Sequence, residues 1–291
     1  MHDHKNVLIY GMILFDSINN ENHIGGPPLN VSLHLARLGY NPLLISAVGN
    51  DELGLSARET LKREGVSDQY VLTDGHKTGQ SIAYVENNGI PMFDIERDVA
   101  YEYINLPDDL FASLTHKKYD LLYFGTVEQE GKVTQETLKR LLQKLSFEKK
   151  YYDINLREGH YTRELVNFLL KNANILKLND DEVFLINNIF NLYMNSEAEV
   201  IHWLFKTYHF DIIIVTRGKD GASAYSSSER QDVGGIKIEV KDTVGAGDAF
   251  SAGFIAEYIK SGNVAKALTN GNRLGAYVAA HVGAVPAEND I

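Results

Sequence analysis

The stretch Asp242-Thr243-Val244-Gly245-Ala246-Gly247-Asp248-Ala249-Phe250 follows an apolar run at residues 236–240 and opens a region of helical periodicity at residues 246–261. The pattern predicts a strand, a glycine turn and the start of a helix, in that order. The first amides of a helix have no intrahelical partner and lie at the positive end of its dipole, and glycine lets an anion approach the backbone closely. The stretch therefore indicates a backbone site for an oxyanion.

Asp248 follows these amides directly in the sequence. A carboxylate in this place can accept a proton from an attacking hydroxyl while the amides stabilise charge on a transferred phosphoryl group. The alternative is a tight turn in which Asp248 caps the following helix. The spacing alone is compatible with both interpretations.

The rest of the chain alternates short apolar runs with helical patterns. Strands are predicted at residues 7–13, 43–48, 121–124, 151–154, 175–178 and 211–215, and helices at 29–38, 58–64, 134–145, 163–173, 196–207 and 264–282. Such alternation predicts an α/β fold, with a parallel sheet that helices cover on both faces. Two strand-like runs at 81–85 and 90–95 are joined by Asn87-Asn88-Gly89, which predicts a β-hairpin.

Composition excludes several classes of function. The 291 residues are 44% apolar and 23% charged, as in an ordinary globular protein, and the net charge of -11 disfavours nucleic-acid and anionic-membrane partners. Cysteine is absent, so disulfides and thiolate metal sites are excluded, in agreement with a reducing cytoplasm. The first residues lack the features of a signal peptide, and no apolar run reaches the roughly 20 residues of a membrane helix. We expect a soluble, cytoplasmic protein.

Two segments carry a resemblance to a known family. The stretch DTVGAGDAFSAGF at residues 242–254 closely resembles the signature of the ribokinase-like (phosphofructokinase-B-type) carbohydrate kinases. Gly25-Gly26-Pro27-Pro28-Leu29-Asn30-Val31-Ser32, a predicted rigid turn before a helix, resembles the family's second signature, with Gly39 and Gly49 after it. The resemblance covers essentially the whole chain. It implies one domain over residues 1–291, with a Rossmann-like three-layer α/β/α core and a small β lid from segments of about 14–26 and 79–103.

The resemblance also implies ATP and Mg²⁺ as cofactors and assigns roles to residues of this chain. Asp248 would be the catalytic base beside the anion-binding turn of Gly245, Ala246 and Gly247. The residues implied for sugar binding are Asp16, Gly26, Asn30, Asp153 and Arg157, and those for the nucleotide are Asn179, Thr216, Gly218, Gly247 and Asn272. Glu182, in the N-x-x-E motif, would act on magnesium through water. A potassium site is implied at Asp242, Val244, Ala279, Val282 and Ala284.

Some of these positions have simpler explanations. Asn179 and Glu182 are also what an N-cap and an acidic first helical turn would contain. Arg157 could form a surface ion pair with Glu158 or Glu164. The Gly-rich stretch at 125–133 faintly resembles a P-loop, but its spacing, its valine and its two glutamates exclude that interpretation.

Segments 121–129, 153–162 and 176–182 resemble the fructokinase-like branch, which implies a free sugar as substrate. Glu130 stands where members of that branch often have arginine, which puts the exact sugar in doubt and removes a cation that a sugar phosphate would need. The alternatives are 2-keto-3-deoxygluconate kinase, ribokinase, or a catalytically silent sugar-sensing relative. A dinucleotide-dependent oxidoreductase is disfavoured, since no G-x-G-x-x-G follows the first strand. The lid would also offer a homodimer surface, with Ile82, Tyr84 and Phe93 as candidate contacts.

Overall fold

The computed structural model describes residues 5–18, 21–85 and 91–287, except the side chains at positions 18, 83–85 and 91–93. The chain forms two compact units. The first comprises Met1–Lys118 and Glu128–Ser146, and the second comprises Tyr119–Val127 and Phe147–Ile291. The single domain predicted over residues 1–291 stays a prediction.

The first unit contains seven strands and four helices among its described residues. The strands are β1 (Val7–Tyr10), β2 (Leu14–Ile18), β3 (Glu21–Gly25), β4 (Leu43–Gly49), β5 (Val71–Asp74), β6 (Gly79–Val85) and β7 (Pro91–Ile95). The helices are α1 (Pro27–Arg37), α2 (Glu52–Arg63), α3 (Asp108–Leu114) and α4 (Lys132–Lys144). Strands β1, β4 and β5 pair in parallel.

A second, small sheet of this unit has the strand order β3-β2-β6-β7. Strands β2 and β6 are parallel, and β3 and β7 are antiparallel to their neighbours. The prediction that the run at residues 14–17 pairs with the hairpin strands is therefore confirmed, while the predicted turn Asn87-Asn88-Gly89 lies outside the described residues. Sequence reasoning missed β3, because its residues Glu-Asn-His-Ile-Gly are polar and mostly exposed.

The second unit contains the strands β8 (Tyr119–Phe124), β9 (Phe147–Asp153), β10 (Ile175–Asn179), β11 (Ile212–Thr216), β12 (Ala222–Tyr225) and β13 (Arg230–Val233). Its helices are α5 (Arg163–Lys171), α6 (Asp180–Ile189), α7 (Glu197–Thr207), α8 (Ala246–Ser261) and α9 (Val264–Ala279). Strands β8 to β11 are parallel and adjacent in chain order. Four consecutive residues of β10 are buried, as expected for a strand covered on both faces.

The prediction of an all-parallel sheet is wrong at one edge, where β12 and β13 are antiparallel. The strand predicted at residues 236–240 is also absent: this segment has no regular structure, and Ile236 and Val240 are 43% and 58% exposed. Its alternation of apolar and charged residues imitates a strand, but Gly234 and Gly235 end β13 before it.

Helix α1 begins earlier than the sequence predicts. Pro27 and Pro28, predicted as part of a turn, are its first two residues. Proline suits this place because its fixed φ matches the helix and the amide hydrogen that it lacks would have no helical partner. The turn itself is reduced to Gly26, whose φ is 105°.

Candidate active site

The glycine turn before α8 is held in a conformation that only glycine adopts readily. Gly245 is the N-cap of α8 with φ 74°, and no side chain caps this helix. A Cβ on Gly245 would lie 2.4 Å from the Cβ of Ala284, so the turn also packs tightly against the segment after α9. Among the described residues, the backbone amide of Gly247 has no hydrogen-bond acceptor. The turn therefore presents an open donor, as an anion site requires.

Asp248 lies one residue further, in the first turn of α8, and is half-buried. The N-cap is Gly245, so Asp248 is not the residue that starts the helix. A carboxylate in a first helical turn remains ionised easily, because the helix dipole favours negative charge there. Its position fits the role of a proton acceptor beside an anion-binding turn.

The structure adds a residue that sequence reasoning missed. Lys177, in the middle of buried strand β10, has its Nζ atom 3.2 Å from the place where a Cβ on Gly247 would be. An ammonium group thus lies directly against the glycine turn. The signal in the sequence was a single charged residue inside an apolar strand, which is rare unless the charge is paired.

The partner of Lys177 is Asp153, which lies opposite it on the neighbouring strand β9. The Nζ atom is 2.9 Å from Oδ1 and 3.2 Å from Oδ2 of Asp153. Burial, the largest effect, lowers the pKa of Lys177, but the carboxylates of Asp153, Glu182 and Asp248 outweigh it and raise the pKa above its ordinary value. The ammonium therefore stays charged in the folded protein.

Asp153 was predicted to bind sugar, and the structure assigns it a different neighbourhood. It is 1% exposed, and besides Lys177 its Oδ2 atom accepts hydrogen bonds from Ser251 at 2.9 Å and from Tyr123 at 3.3 Å. These contacts all lie within the second unit and hold the carboxylate against Lys177. Sugar binding by Asp153 stays a prediction.

Glu182 forms a capping box at the start of α6. Its Oε2 atom accepts a hydrogen bond from the amide of Asn179 at 2.8 Å, and the Asn179 side chain accepts one from the amide of Glu182. Its Oε1 atom accepts a hydrogen bond from the amide of Leu156 at 2.9 Å. Burial is the main cause of the raised pKa of Glu182, and Lys177 opposes it. The helix-cap interpretation of the N-x-x-E motif is confirmed.

A role of Glu182 toward magnesium through water is compatible with this geometry, because each carboxylate oxygen keeps a further lone pair. Residues 5–18, 21–85 and 91–287 contain no cluster of three or more acidic or histidine side chains suited to hold a metal ion. Magnesium is usually bound by one or two carboxylates together with substrate phosphates. The magnesium role of Glu182 stays a prediction.

The segments predicted to hold potassium do lie together. Asp242 accepts hydrogen bonds from the amides of Val244 and Gly283, both at 2.9 Å. The carbonyl of Ala279, however, already accepts hydrogen bonds from the amides of residues 241 and 242, at 2.9 and 3.4 Å, and Val282 is 77% exposed. Ala284 packs against Gly245. The potassium site remains a prediction, with Ala279 its weakest ligand.

The predicted nucleotide residues fall into two groups. Thr216, at the end of β11, lies opposite Asn179, at the end of β10, and Gly218 with φ 50° follows in a short 3-10 turn. The carboxyl ends of parallel strands are where ligands bind in open α/β sheets. Asn272 lies apart from them on α9, where its side chain donates a hydrogen bond to the carbonyl of Gly234 at 3.0 Å. Asn272 thus has a structural partner.

Three residues predicted to bind sugar lie close together in the first unit. A Cβ on Gly25 would be 3.0 Å from Oδ2 of Asp16, and Gly25 is followed by Gly26, whose carbonyl accepts a hydrogen bond from the amide of Asn30 at 2.9 Å. Gly26 tolerates no side chain, because a Cβ there would meet the carbonyl oxygen of Met12 at 2.9 Å. The carboxylate of Asp16, the backbone of Gly26 and the buried side-chain amide of Asn30 are groups of the kind that bind hydroxyls.

Arg157 is exposed and donates a hydrogen bond to the carbonyl of Leu156 at 3.1 Å. No ion pair joins it to Glu158 or Glu164 among the described side chains. The simple explanation by a surface ion pair is therefore not supported, and sugar binding by Arg157 stays a prediction.

The P-loop-like stretch at residues 125–133 is not a phosphate loop. It contains a short 3-10 turn, Val127–Glu130, in which Glu128 and Gln129 are fully buried. Helix α4 begins at Lys132. The acidic side chains of Glu128, which is buried, and Glu130, which is exposed, would repel a phosphate, in agreement with the rejection from sequence.

This α/β fold, with helices on a mostly parallel sheet, is the fold of the ribokinase-fold kinases. The fructokinase of Vibrio cholerae O395, solved with fructose, ADP and calcium, superposes with a TM-score of 0.82 over 98% of this chain and 96% of its own, at 21% identity. The aminoimidazole riboside kinase of Salmonella enterica gives a TM-score of 0.79 over 97% and 96% at 22% identity. The fold predicted from sequence is confirmed.

The chain belongs to the pfkB family of carbohydrate kinases, which it matches over residues 9–290. It is 26% identical to the ATP-dependent 6-phosphofructokinase of Thermoanaerobacterium thermosaccharolyticum, over 96% of this chain and 89% of that protein. It is 27% identical to the fructokinase of Salmonella typhimurium, over 82% and 78%. The protein is an ATP-dependent sugar kinase.

Proposed function

We propose that this kinase transfers the γ-phosphoryl group of ATP to a hydroxyl of a small free sugar, as fructokinases do, with Asp248 as general base. The observation that carries the proposal is the position of Asp248 in the first turn of α8, next to a Gly247 amide without an acceptor among the described residues. In the turn of Gly245, Ala246 and Gly247, the Gly247 amide stabilises the transferred phosphoryl group, while the Ala246 amide donates to the carbonyl of Thr243 at 3.3 Å. Asp248 takes the proton of the attacking hydroxyl.

Asp16, Gly26 and Asn30 bind the sugar in this proposal. Their proximity in the first unit supports it, since hydroxyls are recognised by fixed carboxylates and amides. Asn179, Thr216 and Gly218 contact the nucleotide. Glu182 would hold Mg²⁺ through water, and the ion would neutralise charge on the phosphates. Potassium is a further cofactor. The fructokinase of Vibrio cholerae has been solved with fructose, ADP and calcium, and a double mutant of it with fructose, ADP and potassium.

A free sugar is favoured over a sugar phosphate by the charge around Tyr101. Burial is the largest cause of its raised phenol pKa, and four carboxylates, those of Glu102, Glu128, Glu130 and Glu96, raise it further. A Cβ on Gly79 would lie 2.4 Å from the Tyr101 ring, and Gly79 pairs with Leu14 on β2, the strand of Asp16. A phosphate dianion near these carboxylates would be repelled.

The substrate is tested with purified protein in a coupled kinase assay. Fructose, ribose, 2-keto-3-deoxygluconate, fructose 6-phosphate and nucleosides are compared at equal concentrations with ATP and magnesium. We expect the highest kcat/KM for fructose. Preference for ribose or the ketogluconate would favour the alternative kinases, preference for fructose 6-phosphate would refute the free-sugar proposal, and no sugar-dependent turnover would favour a silent sensor.

Assembly and location belong to the same proposal. Ile82 is 43% exposed on the small sheet and is a candidate contact in a homodimer, whereas the side chains of Tyr84 and Phe93 lie outside the described residues. None of the helices in the described ranges has the length and apolar character needed to span a bilayer. A cytoplasmic location and the lack of nucleic-acid partners stay predictions. Light scattering with and without Ile82→Glu tests the dimer.

A further inference from the structure

Lys177 is an unexpected residue in its strand. Its neighbours Leu176 and Leu178 are fully buried, and Lys177 itself is 7% exposed. Removing a charge from water at such a place costs considerable free energy. A buried ion pair rarely stabilises a fold more than two apolar side chains of the same volume would. Stability alone therefore gives no reason for a lysine and an aspartate to face each other on β9 and β10.

The surroundings of Lys177 are built to hold its ammonium in one place. Asp153 contacts it with both oxygens and is itself fixed by hydroxyl groups from α8 and β8. The hydroxyl of Tyr151 donates to Ser251 at 3.2 Å, so the support extends one residue further. A side chain held from several elements is suited to a task that depends on its position.

The side chain of Lys177 is directed toward the glycine turn. Its Nζ atom lies 3.2 Å from the Cβ position of Gly247, and the Asp248 carboxylate is near enough to raise the pKa of Lys177. Any larger residue at position 247 would press on the ammonium. A cation therefore lies beneath the same turn whose amide we assign to the phosphoryl group.

We infer that Lys177 is a positioning and electrostatic residue of phosphoryl transfer, whose buried ammonium, held by Asp153, strengthens the positive field of the turn at Gly247. The inference rests on the proposed role of that turn. In the reaction, the sugar oxygen forms a bond to Pγ, the bond from Pγ to the bridging oxygen breaks with its electron pair leaving on ADP, and the hydroxyl proton goes to Asp248. Lys177 keeps its proton throughout.

The expected size of the effect follows from Coulomb's law. Two unit charges about 6 Å apart, at an effective dielectric constant near 20, interact strongly enough to change an equilibrium constant by roughly 100-fold. The transferred group changes its charge by less than one unit on the way to the transition state. We therefore expect kcat to fall about 10-fold or more without Lys177.

The experiment separates the effect of the Lys177 charge on kcat from the effect of the ion pair on thermal stability. Lys177→Met alone leaves the Asp153 carboxylate buried and is expected to lower Tm. The double variant Lys177→Met/Asp153→Asn removes both charges, so Tm is expected to recover while kcat stays at least about 10-fold below wild type and the KM for sugar changes little. The matched control is Lys149→Met/Asp211→Asn, which removes a 2.7 Å ion pair that is partly exposed in the same unit. The control is expected to keep its kcat.

The outcomes distinguish the possible failures. Recovery of both Tm and kcat in the double variant would show a purely structural pair and overturn the inference. If Lys177→Met does not fold, the double variant carries the test. If neither folds, Asp153→Asn decides, since it keeps the ammonium but removes the group that holds it: a wild-type kcat in the folded Asp153→Asn protein would overturn the inference. If Asp248→Asn itself is fully active, the proposed site fails, independently of Lys177.

Discussion

Replacing Asp248 with asparagine removes one negative charge from the first turn of α8 and keeps the size and shape of the side chain. The turn at Gly245 depends on its backbone geometry and on the packing of Ala284, and an asparagine of the same shape preserves both. Nucleotide binding should therefore survive. What is lost is the group that accepts the proton of the attacking hydroxyl.

The expected effect on stability is small because its contributions oppose each other. A carboxylate in the first turn stabilises a helix by about 0.3–1 kcal/mol. Its attraction to Lys177 is also lost, but so is its repulsion of the nearby carboxylates of Asp153 and Glu182. A net change below about 1.5 kcal/mol corresponds to a decrease in Tm of no more than about 6 °C.

The expected effect on catalysis is much larger. General-base catalysis is worth roughly 10²–10⁴-fold, or about 3–5 kcal/mol in the activation barrier. We expect kcat to fall by that factor, with an unchanged or slightly higher affinity for an ATP analogue, because one negative charge near the phosphates is gone. The fall in kcat would therefore be far larger than the loss of stability explains.

The assay is steady-state turnover with the preferred sugar, combined with thermal unfolding and calorimetric titration of the analogue. Asp181→Asn is the matched control, because it removes an exposed carboxylate from the first turn of α6 in the same unit. The control should keep wild-type kcat. If Asp248→Asn retained half of the wild-type kcat, Asp248 would not be the base.

Three further predictions test other parts of the proposal. Gly247→Val should lower kcat about 10-fold or more in the same turnover assay, because the valine side chain would press on Lys177 Nζ. The control is Gly75→Val, since a Cβ at position 75 meets no atom within 4 Å. Normal turnover in Gly247→Val would contradict the role of the turn. Asp16→Ala should raise the sugar KM roughly 10–150-fold and leave the ATP KM nearly unchanged, whereas Asp94→Ala on the same sheet should alter neither KM. Sugar together with an ATP analogue should also protect the amides of β6 and β7 from hydrogen exchange more than the analogue alone. The lid hypothesis fails if Asp16→Ala leaves the sugar KM unchanged and sugar does not change the exchange. Replacing potassium with a bulky organic cation at constant ionic strength should slow turnover, and an unchanged rate would count against the cation site.

Most of the parallel strands beside the helices were predictable from sequence because they contain a compact apolar run. Strand β10 is an example, and helix α8 spans the predicted residues 246–261. Sequence reasoning missed β3, β5, β12 and β13. Strands β3 and β13 have largely polar sequences with exposed positions, and such strands are defined by pairing with a neighbour. The segment at 236–240 shows the opposite error, in which alternation without a pairing partner imitates a strand.

In the candidate site, the features that could be predicted from sequence are those that depend on local geometry. The turn at Gly245 and the capping box of Asn179 with Glu182 each lie within a few consecutive residues. The surroundings of Asp153 could not be predicted in this way. Its partner Ser251 is 98 residues away in the sequence, and only the pairing of β9 with β10 brings Lys177 opposite to it.

If the turn and Lys177 act on the phosphoryl group as proposed, the arrangement in the second unit gives a physical reason for a glycine and a lysine to occur together. If residue 247 had a side chain, its Cβ would take the space beside the ammonium, and the charge would be pushed away from the turn. If residue 177 were apolar, the turn would keep its amides but lose the cation beneath them. Backbone donors act by hydrogen bonds at short range, whereas a buried charge acts at longer range through its field. The two effects on a phosphoryl group therefore add, because they do not compete for the same oxygen. Asp153 then serves both requirements, because it makes the buried charge tolerable and fixes its distance from Gly247.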